Sequence, residues 1–249
     1  MNDFPIPIPD RLPMKIDPCP IVEAILELRF VTSESWRTLP GLLFARIRER
    51  YPEQKDLPLA RVDEEIRRLD PAFTYQPLIQ FFGTDFLIQF GPRVVGLVTK
   101  PNAYPGWTAV EEEIVWLLGI LRGLEFIREG ERLGVRYINF FAFDVFDKLL
   151  LEISAAGKRL GKAELSIATV LRHSPLTARL QVANSAILGT GNDAKIGSVV
   201  DLDVWLGSLD FEIFQNSLAR FQEAHEFEKQ IFFGLLTPEF LHTLNPVYA

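Results

Sequence analysis

The chain has 249 residues, of which 48% are hydrophobic and 24% charged, and its formal net charge at neutral pH is −7. This composition is typical of a globular protein with a substantial core, and the acidic balance argues against general nucleic-acid binding and against binding to an anionic membrane surface. The single cysteine, Cys19, excludes an internal disulfide and a thiolate metal cluster, so we expect a reducing, cytoplasmic setting.

Residues 1–20 form a proline-rich segment. Because proline fixes φ and removes a backbone donor, we expect an extended arm on the surface. The segment lacks the apolar stretch of a signal peptide, and the sequence contains no apolar run long enough for a membrane span, so we expect no membrane association.

Residues 21–132 predict a first half. Apolar and polar residues alternate over 21–30, which indicates a strand, and helical spacing over 34–51 predicts a helix. A short helix is predicted at 63–69. Three strands are then predicted at 78–82, 86–90 and 94–100. Thr108 and Glu111 have the spacing of a capping box and predict the start of a long helix.

Residues 133–249 predict a second half with the same element order. A strand is predicted at 133–143 and a helix at 145–160, whose inward residues are Phe146, Leu149, Leu150 and Ile153. Three strands are predicted at 163–172, 176–188 and 198–206. A long helix is predicted at 211–233, and Thr237 with Pro238 marks the start of a last helix near Phe240.

The two halves together predict an α+β fold made of a tandem pseudo-repeat of β-α-βββ-α. We expect antiparallel sheet with the helices packed on one face. The saddle of TATA-binding-like proteins and the helix-grip folds have the most similar element order. That likeness concerns the order of elements and carries no function.

Three segments resemble one bacterial family. They are residues 20–30 (PIVEAILELRF), residues 134–139 (GVRYIN), and the tail at residues 224–228 (AHEFE) with Phe232 and Leu236-Thr-Pro238. The chain resembles an uncharacterised, sporadically distributed family of about 250 residues over its whole length. The resemblance implies no activity, cofactor or catalytic residue.

Arg136, Tyr137 and Asn139 lie on the strand that opens the second half, and we predict them as ligand-binding residues. An arginine in an otherwise apolar strand needs a partner when it is buried. It can hold an anionic ligand, or it can pair with Glu23 or Glu27 of the strand that opens the first half. We favour the ion pair.

Asp201 and Asp203 are two residues apart on one predicted strand, so both carboxylates point to the same face. Such a pair can bind a cation or a ligand, or perform acid–base chemistry. It can also keep a solvated sheet face polar and pair with Arg179 on the neighbouring strand, which is the interpretation we favour.

His225 and Glu228 are three residues apart on the long helix and are weak candidates for a metal site. Lys229 stands where the zincin pattern requires a second histidine, so we favour a packing role. Gly189 and Gly191 lack the third glycine of a dinucleotide fingerprint. We therefore predict no metal and no cofactor.

These observations favour a non-enzymatic binding protein of the bacterial cytoplasm, with a protein partner or a second copy as a homodimer. A defence or toxin–antitoxin setting is one interpretation. The alternative is a small-molecule carrier or an unfamiliar enzyme with an apolar cavity between sheet and helix, which the 20 phenylalanines would suit. Nucleic-acid binding is the least favoured function.

Overall fold

The computed structural model describes residues 4–160, 164–189, 191, 194–207 and 214–248. The protein is α+β, with a large antiparallel sheet and few helices, which confirms the predicted fold class at that level. Among the described helices, none combines the length and the apolar character that a membrane crossing requires.

Strands and α-helices are numbered separately in chain order. The strands are β1 (Ile21–Thr32), β2 (Glu53–Asp56), β3 (Ile79–Phe82), β4 (Phe86–Gly91), β5 (Val94–Thr99), β6 (Ile127–Phe141), β7 (Ser154–Ala155), β8 (Lys158–Arg159), β9 (Ser166–His173), β10 (Leu176–Leu188) and β11 (Lys195–Gly207). The α-helices are α1 (Leu39–Ile47), α2 (Glu64–Leu69), α3 (Trp107–Leu124), α4 (Ser217–Leu235) and α5 (Pro238–Thr243).

The chain forms two compact units. Unit I comprises Met1–Val22, Arg136–Val204 and Glu223–Ala249, and unit II comprises Glu23–Val135 and Trp205–Gln222. Each unit takes its segments from distant parts of the sequence, so the chain passes from one unit to the other several times.

In unit II the strands follow the order β2-β3-β4-β5-β1-β6. The pairs β2–β3, β3–β4, β4–β5 and β1–β5 are antiparallel. Alternate residues of β1 are buried, namely Ala24, Leu26, Leu28 and Phe30. Helix α3 buries one stripe, Val110, Ile114, Leu117 and Leu121. The period of two in the strand and the helical spacing in α3 therefore build this core, as the sequence predicts.

In unit I the strands follow the order β6-β11-β10-β9, and β9 and β10 form an antiparallel pair. The core contains the alternate residues Ala178, Leu180, Val182, Leu202 and Val204. Helix α4 adds Ala224, Phe227 and Ile231. One face of this sheet is therefore apolar and buried, and the other face carries the polar and charged side chains of these strands among some apolar ones.

The arm is held against unit I. The backbone nitrogens of Met14 and Asp17 donate to the carbonyl oxygens of Val247 and Leu244, each at 2.7 Å. The ring of Phe4 packs against His173 and Phe227 at centroid distances of 5.6 and 5.3 Å. The predicted extended segment is thus anchored at both ends of its described part.

The prediction of a helix at residues 145–160 is wrong. The segment contains a short 3₁₀ turn at Phe146–Lys148 and then the hairpin of β7 and β8, with Ser154 opposite Arg159. Ala156 and Gly157 adopt positive φ angles of 49° and 75°, which a helix does not allow. The local turn chemistry therefore overrides the helical spacing of the apolar residues.

The predicted capping box is also wrong, because α3 begins at Trp107, two residues earlier than a helix capped by Thr108 would begin. Gly106, with φ 96°, is the N-cap residue and has no side chain to cap the helix. Thr108 lies inside the first turn instead. The N-cap at Thr237 is confirmed, since its side chain accepts from the backbone nitrogen of Phe240. Phe211, the predicted start of α4, lies outside the described residues, as does residue 163 at the predicted start of β9.

Candidate functional site

The side of the unit I sheet that faces away from the core carries polar and charged residues. On β6, Tyr137 is buried and its neighbour Arg136 is partly exposed. On β11, Leu202 is buried and Asp201 and Asp203 are partly exposed. We call this side, with Arg136, Arg179, Gln181, Asp201 and Asp203, the open face of unit I.

Arg136 forms a two-point ion pair with Asp201. Nε and Nη2 of Arg136 lie 2.8 and 2.6 Å from Oδ1 and Oδ2 of Asp201. The Asp201 side chain is 13% exposed and that of Arg136 is 42% exposed. Arg136 therefore forms an ion pair with Asp201, whereas Glu27, one of the two partners predicted for it, pairs with Arg29 and Arg132. The planar guanidinium matches the two carboxylate oxygens, which fixes both side chains.

The five residues of the open face line a small polar depression of about 70 Å³. They supply two guanidinium groups, two carboxylates and one amide. The two positive charges balance the two negative charges, so the depression itself is close to neutral. Its lining is polar, and none of the five residues is aromatic or aliphatic.

Arg179 is the exposed member of this group. It forms no hydrogen bond and no ion pair with any residue that the structure describes, so the predicted pairing with Asp201 or Asp203 is absent there. In the β9–β10 register, Arg179 lies directly opposite Val170. Its five N–H donors therefore remain available at the rim of the depression.

The other two predicted ligand-binding residues lie on the buried face. Tyr137 is 1% exposed, and Asn139 is 2% exposed and donates from Nδ2 to the carbonyl oxygen of Val200 at 3.2 Å. Arg136 and Tyr137 are adjacent in a strand, so their side chains point to opposite faces. The structure thus brings Arg136, Asp201 and Asp203 together and separates them from Tyr137 and Asn139.

His225 and Glu228 are both buried, at 7% and 5% exposure. Burial of the imidazole, with a smaller effect from Lys229, lowers the pKa of His225 from 6.5 to about 3. Burial raises the pKa of Glu228 from 4.5 to about 8, although Lys229 acts to lower it. Burial disfavours the charged form of each group, so both side chains are neutral between about pH 3 and about pH 8.

Within the described parts of the chain, no group of three or more His, Cys, Asp and Glu side chains is placed to hold a metal ion. Nδ1 of His225 lies 3.0 Å from the hydroxyl oxygen of Tyr137, so this nitrogen is already engaged.

Unit II has its own charged cluster. Oε1 of Glu27 accepts from Nε of Arg29 at 2.7 Å and from Nη1 of Arg132 at 2.6 Å. The guanidinium of Arg132 also lies over the ring of Trp205, 5.0 Å from its centroid. Arg132 therefore pairs with Glu27, one of the two carboxylates that the sequence offers to Arg136. Both arginines are half-buried residues of β6, and the sequence does not show which carboxylate each of them meets.

Two lining residues of the depression, Arg179 and Gln181, are absent from the predicted ligand-binding set. The strand pattern over residues 176–188 does place them on the polar face together. The missing information is the order of the strands, since only pairing of β10 with β11 brings their polar faces into one surface.

A scan against protein-family models and a search of curated proteins both find no match to this chain. The resemblance carried by residues 20–30, 134–139 and 224–238 therefore stays a prediction.

Proposed function

We propose that the protein is a non-enzymatic binding protein, and that the open face of unit I binds a carboxylate group of a protein partner. The observation that carries this proposal is Arg179, an exposed guanidinium at the rim of a polar depression with no partner among the described residues. Arginine is the side chain best suited to two-point recognition of a carboxylate.

The arrangement favours binding over chemistry. Arg136 and Asp201 already satisfy each other, so this pair acts as a fixed rim. A guanidinium stays protonated at all physiological pH values and does not exchange protons with a substrate. The amide of Gln181 adds donors and an acceptor beside Arg179.

The size of the depression favours a protein partner over a free small molecule. Sites for small molecules usually enclose roughly 300–1,000 Å³ and are mostly apolar. The depression measures about 70 Å³ and has a polar lining. It fits the tip of one acidic side chain or a terminal carboxylate that a larger surface presents.

Selection of a random peptide display library on the full chain tests this function. We expect peptides rich in Asp and Glu to be enriched on the wild type, and the enrichment to be lost on Arg179→Ala. Arg48→Ala is the matched control, because Arg48 is an exposed arginine of unit II. Enrichment that is equal on the wild type and on Arg179→Ala contradicts the proposal.

The more detailed predictions made from the sequence are part of the same proposal. They are membership of the resembled bacterial family, a tandem pseudo-repeat with saddle-like or helix-grip architecture, a cytoplasmic setting linked to defence or toxin–antitoxin systems, and a homodimer as one form of partner. The pseudo-repeat draws support from the strand groups of the two halves, and the hairpin at β7 and β8 weakens it.

A further inference from the structure

The strand β9 ends the strand order of unit I. It pairs with β10 along eight residues, and no strand within the described residues pairs with its other side. In an antiparallel pair, about half of the backbone N–H and C=O groups of a strand point away from its neighbour. β9 therefore presents a row of unpaired donors and acceptors.

β9 has few of the features that normally protect an edge strand. Natural edges are blocked by proline, lysine, bulges or short length. β9 spans Ser166–His173, contains no proline and no lysine, and its eight residues pair with β10 without a bulge. Most of its residues are exposed, and Val170 is 46% exposed. This edge is suited to accept a further strand.

The edge and the open face are continuous. In the β9–β10 register, Val170 lies opposite Arg179, Ala168 opposite Gln181, and Arg172 opposite Thr177. Cross-strand partners point to the same face of a sheet. Side chains on this face of an added strand would therefore lie beside Val170 and Arg172, next to the depression.

The charge of this surface selects between two occupants. Arg172 and Arg179 are both exposed, and neither bonds to a described residue. β9 itself contains no acidic residue, so a second copy pairing through β9 would bring like charges together. An extended segment with acidic side chains supplies the opposite charge.

We infer that the partner is an extended acidic segment of another protein, which adds to β9 as a further strand and places a carboxylate against Arg179. This inference rests on the proposed function. Adjacent strands lie about 4.8 Å apart, so an added strand lies about 10 Å from β10. An extended arginine and an extended glutamate side chain together span this gap across Val170. Backbone hydrogen bonds supply affinity, and the carboxylate supplies selectivity.

Binding of synthetic peptides to the full chain tests the inference. The probe is a capped, fluorescent seven-residue peptide that alternates Val and Glu, measured by anisotropy. A peptide with Gln in place of Glu should bind at least tenfold more weakly. Two further peptides carry backbone N-methyl groups at the odd or at the even positions. Because one side of an added strand faces β9, only one of these two should lose at least tenfold.

The Gln peptide and the N-methylated peptides distinguish a failure of the proposed function from a failure of strand addition. Equal binding of the Gln and Glu peptides overturns the carboxylate function. Glu-dependent binding that neither N-methylated peptide weakens leaves that function intact and overturns strand addition.

A substitution on the protein provides the matched test. Val170→Asp places a carboxylate opposite Arg179 in the same chain, so it should compete with the peptide and weaken binding at least tenfold. Val170→Asn has nearly the same shape without the charge and should retain binding within threefold. Equal losses in both variants overturn the electrostatic part of the inference. Light scattering that detects a dimer in the wild type and a monomer in Val170→Asp would make a second copy the occupant, and would overturn the acidic segment.

Discussion

The hydroxyl oxygen of Tyr137 lies 3.0 Å from Nδ1 of His225, and both side chains are buried in unit I. The contact joins β6 to α4 on the buried face of the sheet. One turn further along α4, Glu228 is buried as well. A neutral imidazole and a neutral carboxyl are thus enclosed together, and this has consequences for stability at different pH values.

Glu228→Gln should remove a loss of stability that the wild type suffers as the pH rises. The pKa of Glu228 is raised in the folded state from 4.5 to about 8. The unfolded state therefore releases this proton first, and the free energy of unfolding falls between those two values. The fall is about 1.4 kcal/mol per pH unit for one proton, on the order of 3 kcal/mol between pH 5 and pH 8.

Urea denaturation of the wild type and Glu228→Gln at pH 5, 6.5 and 8 measures this effect. The variant should be the more stable protein at pH 8, and the difference should shrink toward pH 5. A constant difference at the three pH values would show that Glu228 does not titrate across this range.

His225→Gln should change the acidic side instead. The pKa of His225 is lowered from 6.5 to about 3, so the unfolded state binds a proton that the folded state refuses. This contribution to stability is present above pH 6.5 and is lost as the pH falls from there toward 3. Relative to the wild type, His225→Gln should gain stability as the pH is lowered from 6.5 to 4, whereas Glu228→Gln should lose its advantage over the same range. Circular dichroism of the acid transition checks this, with Glu228→Gln as the control that should change in the opposite direction.

Arg136 and Asp201 should show a measurable coupling free energy. Their two hydrogen bonds are well aligned, but the Arg136 side chain is 42% exposed, so solvent weakens the attraction. A double-mutant cycle with Arg136→Ala and Asp201→Asn should give about 1 kcal/mol in urea denaturation. A value near zero would show that the pair is too well solvated to fix the rim of the depression.

Gly234→Ala should displace the arm. A Cβ atom at residue 234 would lie well inside van der Waals distance of the backbone oxygen of Pro7, with no side-chain movement that relieves it. We expect a loss of about 1–3 kcal/mol in the free energy of unfolding and faster proteolysis near residues 4–13. Gly123→Ala is the control, because nothing lies within 4 Å of the added Cβ there. Equal proteolysis of the two variants would contradict the close packing of Pro7 on α4.

Local patterns in the sequence were sufficient to predict most of the strands. The turn residues at 83–85 and 91–93 bound β3, β4 and β5, and alternation of apolar and polar residues marks β10, each to within about a residue of the observed bounds. The same rule puts Asp201 and Asp203 on one face. The corresponding rule for helices fails at residues 145–160. The apolar residues there have helical spacing, but the chain makes a tight turn at Ala156 and Gly157.

The pairing of charged groups was not predictable from the sequence. Arg132 and Arg136 are both arginines of β6, yet Arg132 meets Glu27 and Arg136 meets Asp201. The choice depends on which strands flank β6 on its two sides, and strand order is a long-range property. The neutral state of Glu228 could not be predicted either, because the sequence alone does not show that this side chain is buried.

The anchoring of the arm bears on how the chain folds during synthesis. Residues 14 and 17 leave the ribosome long before their hydrogen-bond partners, residues 247 and 244. Unit II takes most of its residues from one continuous stretch, 23–135, and can gain its core earlier. The arm can form these hydrogen bonds only after residues 244–247 have been synthesised. Its packing on unit I is therefore one of the last steps of folding.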